Sequence, residues 1–320
     1  MEGLLQRWAT RGQAKYMFHQ RKVAAKAKAG DVEAAAALQV ADDTDFMELA
    51  EEDETYQRAI GTLLQELDLG VPVMVVEREH LPTANFGMFA AVVVVGQDGL
   101  VANTAKYVGD LPIVGVNPDP DRIDGVLLPY RISNVRAAVQ KVLDGRAHVT
   151  DVTLAQARLD DGQTLLAFND LFVGAANHVS ARYELSVGGR SEDHSSSGIL
   201  ISTGAGSTGW MSSVFNMTRG IASQFGSPLG EAVQPELARD DRSLVWAVRE
   251  PFLSQTTGID LIAGRLDGDA EMIVESRMAF GGVIFSDGVQ ADYLEFNGGS
   301  IATIGIASQR ARLVSPGRGQ

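Results

Sequence analysis

The amino-acid sequence predicts an α/β domain followed by a second, mostly antiparallel β-rich domain. Between about residues 71 and 147, short apolar runs rich in β-branched residues alternate with helical spacers, which is typical of parallel βαβ units. After about residue 148, short strand-like segments are separated by Gly-Gly and Asp-Gly turns, as expected for antiparallel hairpins. We therefore place the first domain at residues 1–147 and the second at 148–320.

The composition describes an ordinary globular protein with an acidic surface. Of 320 residues, 45% are apolar and 21% are charged, and the net charge is −14. Nucleic-acid and anionic-membrane binders gain affinity from basic surfaces, so neither partner is expected. The chain has no cysteine, which excludes disulfides and thiolate catalysis, and none of its five histidines lies within four residues of another. No apolar run approaches the roughly 20 residues that span a bilayer, so we expect a cytoplasmic protein.

The first part of the chain carries two charged segments. Residues 7–28 are basic without an acid, and residues 42–54 are strongly acidic before a helical pattern that continues to Leu67. These segments could be solvated helices whose charges offset each other. Alternatively, Arg11 or Lys15 could contact an anionic ligand or a partner subunit. The basic start also resembles a transit peptide, but the polar turn at residues 10–14 favours keeping it in the mature protein.

Three strands and a helix are predicted for the α/β domain. Val73–Val76 and Leu111–Val116 form short apolar runs, and Val92–Val95 consists of four consecutive valines. Four β-branched residues in a row predict a strand that is buried on both faces. Residues 133–144 show the spacing of an amphipathic helix.

The turn that follows the valine strand is the first candidate site. Its sequence is Gly96-Gln97-Asp98-Gly99, and a probable helix follows. In open α/β sheets, ligands bind at the carboxyl ends of the strands, and a helix N-terminus favours phosphate. Asp98 is the one ionisable group in this turn. From residue type alone it could be a metal ligand, a base or a turn residue.

The next strand ends in a polar loop at the same sheet edge. This loop contains two prolines, at positions 118 and 120, which prevent a helix from continuing. Asn117 is a plausible further contact in a cleft there. Asp119 and Asp121 could equally be solvated acids of the loop.

The second domain is predicted to be built from short strands. These are Val149–Leu159, Leu165–Val173, Ala181–Val187, Ile199–Ser202, Ala270–Ser276, Gly282–Phe285, Tyr293–Asn297 and Ser300–Ile306.

A second candidate site follows the strand that ends at Ser202. The loop Thr203-Gly204-Ala205-Gly206-Ser207-Thr208 combines glycines, which let the backbone approach a ligand, with hydroxyls that can bind phosphate or ribose. Trp210 adds a flat face at the start of a helix that is predicted to run to about Phe215. The loop could also be a structural turn. It is not a Walker A motif, and no Rossmann glycine fingerprint follows residues 91–95.

Taken in order, the motifs of residues 90–315 resemble those of the NAD kinases. The matching segments are Gly96-Gln97-Asp98-Gly99, Gly115-Val116-Asn117-Pro118-Asp119-Pro120, Asn169-Asp170, Ser196-Ser197-Gly198, Thr203-Gly204-Ala205-Gly206-Ser207, Arg249-Glu250-Pro251 and Asp287-Gly288. The Asn-x-Asp-Pro loop, the Ser-Ser-Gly segment and the Arg-Glu-Pro segment are closest in wording to the mitochondrial-type branch. The resemblance implies a Rossmann-like α/β domain and a β-sandwich-like second domain.

The resemblance also implies an activity. NAD kinases transfer the γ-phosphoryl group of ATP to the 2′-hydroxyl of the adenosine ribose of NAD, which gives NADP. In the family the aspartate of the first motif activates that hydroxyl, and this role falls here on Asp98. ATP with Mg²⁺ is the implied donor, no resident metal site is predicted, and a homodimer is expected.

Substrate contacts are implied for the remaining motif residues. By the family pattern Asn169 and Asp170 contact the adenosine portion of NAD, although the same pair could be a turn at a strand edge. The other predicted contacts are Gly96, Gln97, Gly99, Asn117, Thr203, Gly204, Gly206, Ser207 and Thr208.

The chain departs from the family pattern at two positions of the first motif. Gln97 replaces the second glycine, and Leu100 replaces a threonine. A required positive φ at residue 97 would make glutamine costly and would change ATP binding. Two alternatives follow, namely a kinase for another small-molecule hydroxyl (sugar or lipid) and a non-catalytic dinucleotide-binding regulator. The retained Asp98 disfavours the regulator, and an acidic chain without an anchor disfavours a lipid kinase.

Overall fold

A computed structural model describes residues 51–226 and 234–317, apart from the side chains of residues 290 and 291. The basic segment 7–28, with Arg11 and Lys15, lies outside the described residues. Residues 51–66 are helical, and a 3₁₀ helix covers Arg78–Thr83. The other helices are α1 (Asp98–Ala105), α2 (Ile132–Leu143) and α3 (Trp210–Phe225).

Fifteen strands complete the described structure. They are β1 (Val92–Val95), β2 (Pro112–Asn117), β3 (Tyr130–Arg131), β4 (Val149–Leu159), β5 (Thr164–Ala167), β6 (Asp170–Ala175), β7 (Ala181–Val187), β8 (Arg190–Ser196), β9 (Ile199–Ser202), β10 (Ser243–Val248), β11 (Ala263–Asp267), β12 (Met272–Ser276), β13 (Gly282–Ser286), β14 (Val289–Glu295) and β15 (Ile301–Val314).

The strands form two sheets. The first has nine strands in the order β1-β2-β15-β12-β7-β8, with β3 beside β2 and with β4 between β15 and β5. Its β1–β2, β2–β3 and β2–β15 pairs are parallel. The second sheet has six strands in the order β11-β10-β9-β6-β13-β14, and its neighbours are antiparallel. The predicted combination of an α/β part and a β-rich part is confirmed.

Helices cover both faces of the parallel strands. On one face, Val101 and Ala105 of α1 share an apolar cluster with Val94 and Ile113. On the other face, α2 and the 51–66 helix pack against Val114 and neighbouring residues of the sheet. This arrangement leaves the carboxyl ends of β1 and β2 at a common edge, because the two strands are parallel and in register from Val92 to Val95. The turn at residues 96–99 and the loop after Asn117 are therefore neighbours, as the sequence predicts.

The β-rich part is a sandwich whose core lies between the two sheets. Tyr183 and Met272 of the first sheet and Ile199 and Trp246 of the second belong to one buried cluster. Strand β15 connects this sandwich with the α/β part, because it pairs with β12 and β4 and then, at Leu313, with β2. The division at residues 147 and 148 stays a prediction, although it falls in the turn that precedes β4.

The prediction of a strand at Val73–Val76 is wrong. The segment has an irregular backbone, and Val73 is 50% exposed and Val75 is 63% exposed. A strand needs a partner with free backbone groups, and in the described structure the first sheet begins at β1. Pro72 also removes one backbone donor from this run. Short apolar runs do not by themselves distinguish a strand from an apolar connection.

Several smaller expectations are also corrected. Only Val94 of the four valines is buried, because β1 is an edge strand. Helix α3 continues ten residues past Phe215, to Phe225. The predicted strand Leu165–Val173 is divided into β5 and β6 by Phe168 and Asn169. Strands β3, β8, β10 and β11 were not predicted, and β8 in particular is composed largely of polar residues.

Among the described residues, no helix is long and apolar enough to span a membrane.

Substitution of Gly115 tests how tightly β2 packs against Leu127 of the loop that follows this strand. A Cβ at Gly115 would lie 2.1 Å from the carbonyl oxygen of Leu127, so an added methyl group has to displace that backbone. We expect Gly115→Ala to lower the free energy of unfolding by about 1–3 kcal/mol, as in other overpacked sites, measured by urea titration. The control is Gly61→Ala, because no atom lies within 4 Å of its added Cβ. It should stabilise the 51–66 helix, and an equal loss in both variants would contradict this account.

Candidate functional site

Asp98 lies at the first position of α1, directly beyond β1. Its carboxylate accepts two backbone hydrogen bonds from the loop after β2, one from Leu127 N at 2.8 Å and one from Val126 N at 3.1 Å. Both oxygens are therefore oriented by the protein, and the loop is held in turn by the carboxylate. A fixed, half-buried carboxylate at the carboxyl edge of the sheet can still accept a further hydrogen bond through its remaining lone pairs.

Gln97 fits the turn without strain. Its φ is −107° and its ψ is 165°, which is an extended conformation that any residue adopts. The side chain is exposed and makes no capping hydrogen bond to α1. The backbone at residue 97 thus does not require glycine, and glutamine can replace the second glycine of the family motif there. Gly99 is exposed as well, with no atom within 4 Å of an added Cβ.

Asn117 supports the loop that carries the two amides. Its Nδ2 donates to the carbonyl of Ile123 at 2.7 Å, and its Oδ1 accepts from the backbone N–H of Asp119 at 3.0 Å. Asp119 is buried and pairs with Arg122 at 3.0 Å, whereas Asp121 is exposed. The Asn117 amide is thus used inside the loop, and its predicted contact with a ligand stays a prediction.

Asn169 and Asp170 follow β5, where the chain crosses to the second sheet. The carboxylate of Asp287 accepts hydrogen bonds from three consecutive backbone N–H groups, those of Phe168 at 2.9 Å, Asn169 at 2.6 Å and Asp170 at 3.3 Å. The Asn169 carbonyl accepts from Thr203 N at 2.9 Å. The backbone at Asn169 is therefore fixed on both sides of the residue.

The side chains of Asn169 and Asp170, unlike their backbone groups, make no hydrogen bonds within the described residues. Within residues 51–226 and 234–317, no group hydrogen-bonds to the side-chain amide of Asn169 or to the side-chain carboxylate of Asp170. Asp170 is only 8% exposed. Burial first, and the nearby Asp287 second, raise the pKa of the Asp170 carboxyl to about 7. A buried carboxyl without a partner is costly, so this position is suited to a ligand that supplies hydrogen-bond donors.

The loop at residues 203–208 lies against the same segment. Thr203 is fully buried, and its hydroxyl donates to the Phe168 carbonyl at 2.6 Å. A Cβ at Gly206 would lie 2.1 Å from the Asn169 carbonyl oxygen, and one at Gly204 would lie 1.9 Å from that of Ala238. Both glycines are therefore required by close backbone packing.

The hydroxyls of this loop differ in their freedom to bind. The Thr203 hydroxyl is engaged with backbone, and the Ser207 hydroxyl donates to the Gly204 carbonyl at 2.8 Å. Thr208 is exposed. Ligand contacts by these residues stay predictions, and Thr203 acts in this structure by fixing the Asn169 backbone.

One apolar cluster holds the three segments together. It contains Phe168, which precedes Asn169, and Leu128 of the loop bound by Asp98. Leu127 and Ala205 pack against the same cluster. The turn at 96–99, the pair at 169–170 and the loop at 203–208 are thus linked through one apolar cluster, as the resemblance to the NAD kinases implies.

Sequence reasoning missed the groups that position these residues. Asp287 belongs to one of the motif segments, but the sequence assigns it no role, and it predicts nothing for Lys106. The N–H groups of Val126 and Leu127 carry no sequence signal, because every residue except proline has one. For Asp287, the Asp-Gly dipeptide between two strands was the available signal.

Two further features of the described residues bear on the site. No group of three or more His, Asp or Glu side chains there is arranged to hold a metal ion. A surface cavity of about 510 Å³ is lined by residues 84–87 and 107–111, near the C-terminal end of α1. It lies at the opposite end of this helix from Asp98, so it is separate from the candidate site.

Comparison with known proteins identifies a curated relative of similar sequence. NAD kinase 2, mitochondrial, of Rattus norvegicus is 30% identical over 203 residues, which are 49% of this chain and 47% of the rat protein. The chain thus spans about half the length of the curated relative that it matches. No protein-family model matches the chain.

Two solved structures share the fold. Yeast NADH kinase complexed with NADH has a TM-score of 0.52 and 14% identity, with 71% of this chain and 62% of the yeast chain covered. An NAD kinase from Archaeoglobus fulgidus in complex with ATP has a TM-score of 0.56 and 18% identity, with 82% and 90% covered. The chain is therefore similar in sequence to a mitochondrial NAD kinase over about half of its length, and it has the fold of NAD kinases.

Proposed function

We propose that this protein is an NAD kinase, which transfers the γ-phosphoryl group of ATP to the 2′-hydroxyl of the adenosine ribose of NAD. The observation that carries the proposal is that one apolar cluster joins the loop bound by the oriented Asp98 carboxylate to Phe168 and Ala205. Ala205 belongs to the glycine loop at residues 203–208, and Phe168 adjoins the segment of Asp170, whose buried carboxyl has no hydrogen-bond partner among the described residues. The similarity to NAD kinases in sequence and fold supports the same activity.

Asp98 is the proposed catalytic residue. The ribose 2′-oxygen attacks the γ-phosphorus of ATP, the bond to the bridging oxygen breaks, and ADP leaves. The hydroxyl proton passes to the Asp98 carboxylate late in this step. Because the Val126 and Leu127 N–H groups hold both oxygens, the carboxylate does not need to reorganise during the reaction.

Asn169 and Asp170 are the proposed contacts for the adenosine portion of NAD. An ionised Asp170 can accept hydrogen bonds from a ribose diol or an adenine amino group, and the Asn169 amide can both donate and accept. Such contacts supply the donors that the buried Asp170 carboxyl lacks.

The loop at residues 203–208 and the turn at residues 96–99 are the proposed neighbours of the phosphates. Gly96, Gln97 and Gly99 lie beside Asp98, and Gly204, Gly206, Ser207 and Thr208 present backbone and hydroxyl groups. The extended backbone of Gln97 removes the conformational objection to ATP binding at this turn. Magnesium is proposed to enter as the ATP complex, because the described residues form no carboxylate cluster for a resident ion.

A cytoplasmic location and a homodimer are part of the same proposal. They are supported by the composition and by the resemblance to the family, respectively.

The direct test of the function is to incubate the protein with NAD, ATP and Mg²⁺ and to follow NADP. We expect NADP to form in proportion to enzyme concentration and ADP to form in equal amount. Folded protein that makes no NADP across a panel of divalent metals would contradict the proposal. Replacing NAD by other hydroxyl acceptors in the same assay tests the alternative kinases.

Asp98→Asn tests the proton acceptor. We expect kcat to fall by about 10²–10⁴-fold, the usual contribution of a general base, while NAD affinity measured by calorimetry changes little. One oxygen becomes an NH₂ group that faces a backbone N–H, so thermal unfolding is measured in parallel. The control is Asp124→Asn, an exposed acid of the same loop. Loss of NAD binding in folded Asp98→Asn would instead make Asp98 a binding residue.

The raised pKa of Asp170 predicts a pH-dependent stability. The folded-state pKa is about 7 rather than 3.8, so the protonated carboxyl is favoured in the folded protein. Its contribution to the free energy of unfolding is fully present below pH ~4 and is lost as the pH rises through about 7. The thermal midpoint of Asp170→Asn, relative to that of the natural protein at the same pH, should therefore rise between pH 4 and 7. It should then level off, and a constant difference would show that Asp170 titrates normally.

A further inference from the structure

We infer that Asp287 is a positioning residue that, together with Lys106, fixes the backbone of residues 168–170 so that Asn169 and Asp170 present their side chains to the substrate. This inference rests on the proposed function for the role of Asn169 and Asp170. The positioning itself is a property of the protein without substrate.

The hairpin between β13 and β14 fixes the backbone of Asp287. Ser286 pairs with Val289, so Asp287 and Gly288 form a two-residue turn. Their φ angles are 54° and 68°, which is the geometry of a turn that favours Asp-Gly. The positive φ of Asp287 is therefore set by the hairpin, and its side chain is directed to the neighbouring backbone.

The Asp287 carboxylate is surrounded by the segment that it holds. It accepts from the N–H groups of Phe168, Asn169 and Asp170 at 2.6–3.3 Å, and its own N–H donates to the Asp170 carbonyl at 3.0 Å. Burial raises the pKa of this carboxyl above its ordinary value, and the three N–H groups and the charge of Lys106 offset only part of that rise. Four hydrogen bonds thus join the turn to the segment, and all four use backbone atoms of residues 168–170.

Lys106 connects this hairpin to the helix that begins at Asp98. It follows the last residue of α1, and its side chain is 1% exposed. Its Nζ donates to Ser286 Oγ at 2.9 Å and to Asp292 Oδ2 at 2.8 Å. The hydroxyl of Tyr107 also donates to Asp292. The hairpin is thus anchored to one end of α1, and the other end of this eight-residue helix carries Asp98.

The consequence is a fixed relation between the two halves of the candidate site. Asp98 is set by α1 and by the loop after β2, while Asn169 and Asp170 are set by the hairpin that α1 anchors. Because the backbone of residue 169 is held from both sides, only its side chain remains to adapt to a ligand. A purely structural hairpin contact would stabilise the fold without affecting NAD binding, and this difference can be measured.

The variant Asp287→Asn removes one acceptor and the charge, and asparagine tolerates the positive φ of the turn. In the NADP assay we expect the KM for NAD to rise about tenfold or more, as for a misplaced binding group, while kcat and the KM for ATP change much less. Asp287→Gly keeps the turn and removes the carboxylate, and it serves if Asp287→Asn does not fold. The matched control is Asp161→Asn, because Asp161 also accepts a backbone N–H, that of Gln163 at 3.0 Å, at the β4–β5 hairpin. It should leave both KM values unchanged.

Amide hydrogen exchange tests the positioning independently of activity. In the natural protein, the N–H groups of Phe168 and Asn169 should exchange as slowly as those inside β13. In Asp287→Asn they should exchange at least about tenfold faster, since each such factor corresponds to about 1.4 kcal/mol of local protection. Fast exchange in the natural protein, or unchanged exchange and NAD KM in the folded variant, would overturn the inference. If the natural protein formed no NADP but these two amides exchanged slowly, the proposed function would be rejected. The inference that Asp287 positions the backbone would still hold.

Discussion

The structure of the candidate site depends on one contact, in which the carboxylate of Asp98 accepts the N–H groups of Val126 and Leu127. This contact joins the turn after β1 to the loop after β2, so it sets both the direction of the carboxylate and the path of the loop. Gly115 permits the loop to approach β2 because a Cβ there would meet the Leu127 carbonyl at 2.1 Å. Asn117 closes the same loop through its amide. Strand, turn and loop are thus mutually dependent.

Three aspartates of this region show how the environment decides the role of a carboxyl group. Asp98 and Asp287 accept hydrogen bonds from backbone N–H groups, which fix the orientation of each carboxylate. Asp170 is buried without such donors, and its pKa is raised to about 7. Two of these carboxylates therefore organise the backbone, whereas the third is available to a ligand. Asp98 organises the backbone and can also contact a ligand, because two backbone amides orient it while it remains half-buried at the sheet edge.

The sequence predicts those features that are local in the chain. Alternation of apolar residues located β4 and β7, and the valine run located β1, because side-chain period and β-branching act within a few residues. The valine run also predicts that the Asp98 turn lies at the carboxyl edge of the sheet, whereas a catalytic role for Asp98 is implied only by the resemblance to the NAD kinases. That the turn, Asn169 and the glycine loop meet was implied by the resemblance to the NAD kinases and not by any local pattern.

Features that depend on distant partners were not predicted. Val73–Val76 has the composition of a strand, but no strand of the described residues pairs with it. Whether a partner strand is present depends on the whole sheet and not on the local sequence. The polar strand β8 is recognisable only from its pairing with β7. The burial of the Thr203 hydroxyl depends on a carbonyl 35 residues away in the chain. Asp287 lies 118 residues from Asn169, whose N–H it accepts, so no local pattern connects them.

The central claim is that Asp98 faces the ribose hydroxyl that is phosphorylated. A crystal structure of the protein with NAD measures this directly. The account predicts that the 2′-oxygen of the adenosine ribose lies about 3 Å from a carboxylate oxygen of Asp98, with Asn169 and Asp170 bonded to the same adenosine. The account would be contradicted if the adenosine ribose were bound too far from Asp98 for a direct hydrogen bond or for a contact through one bridging water.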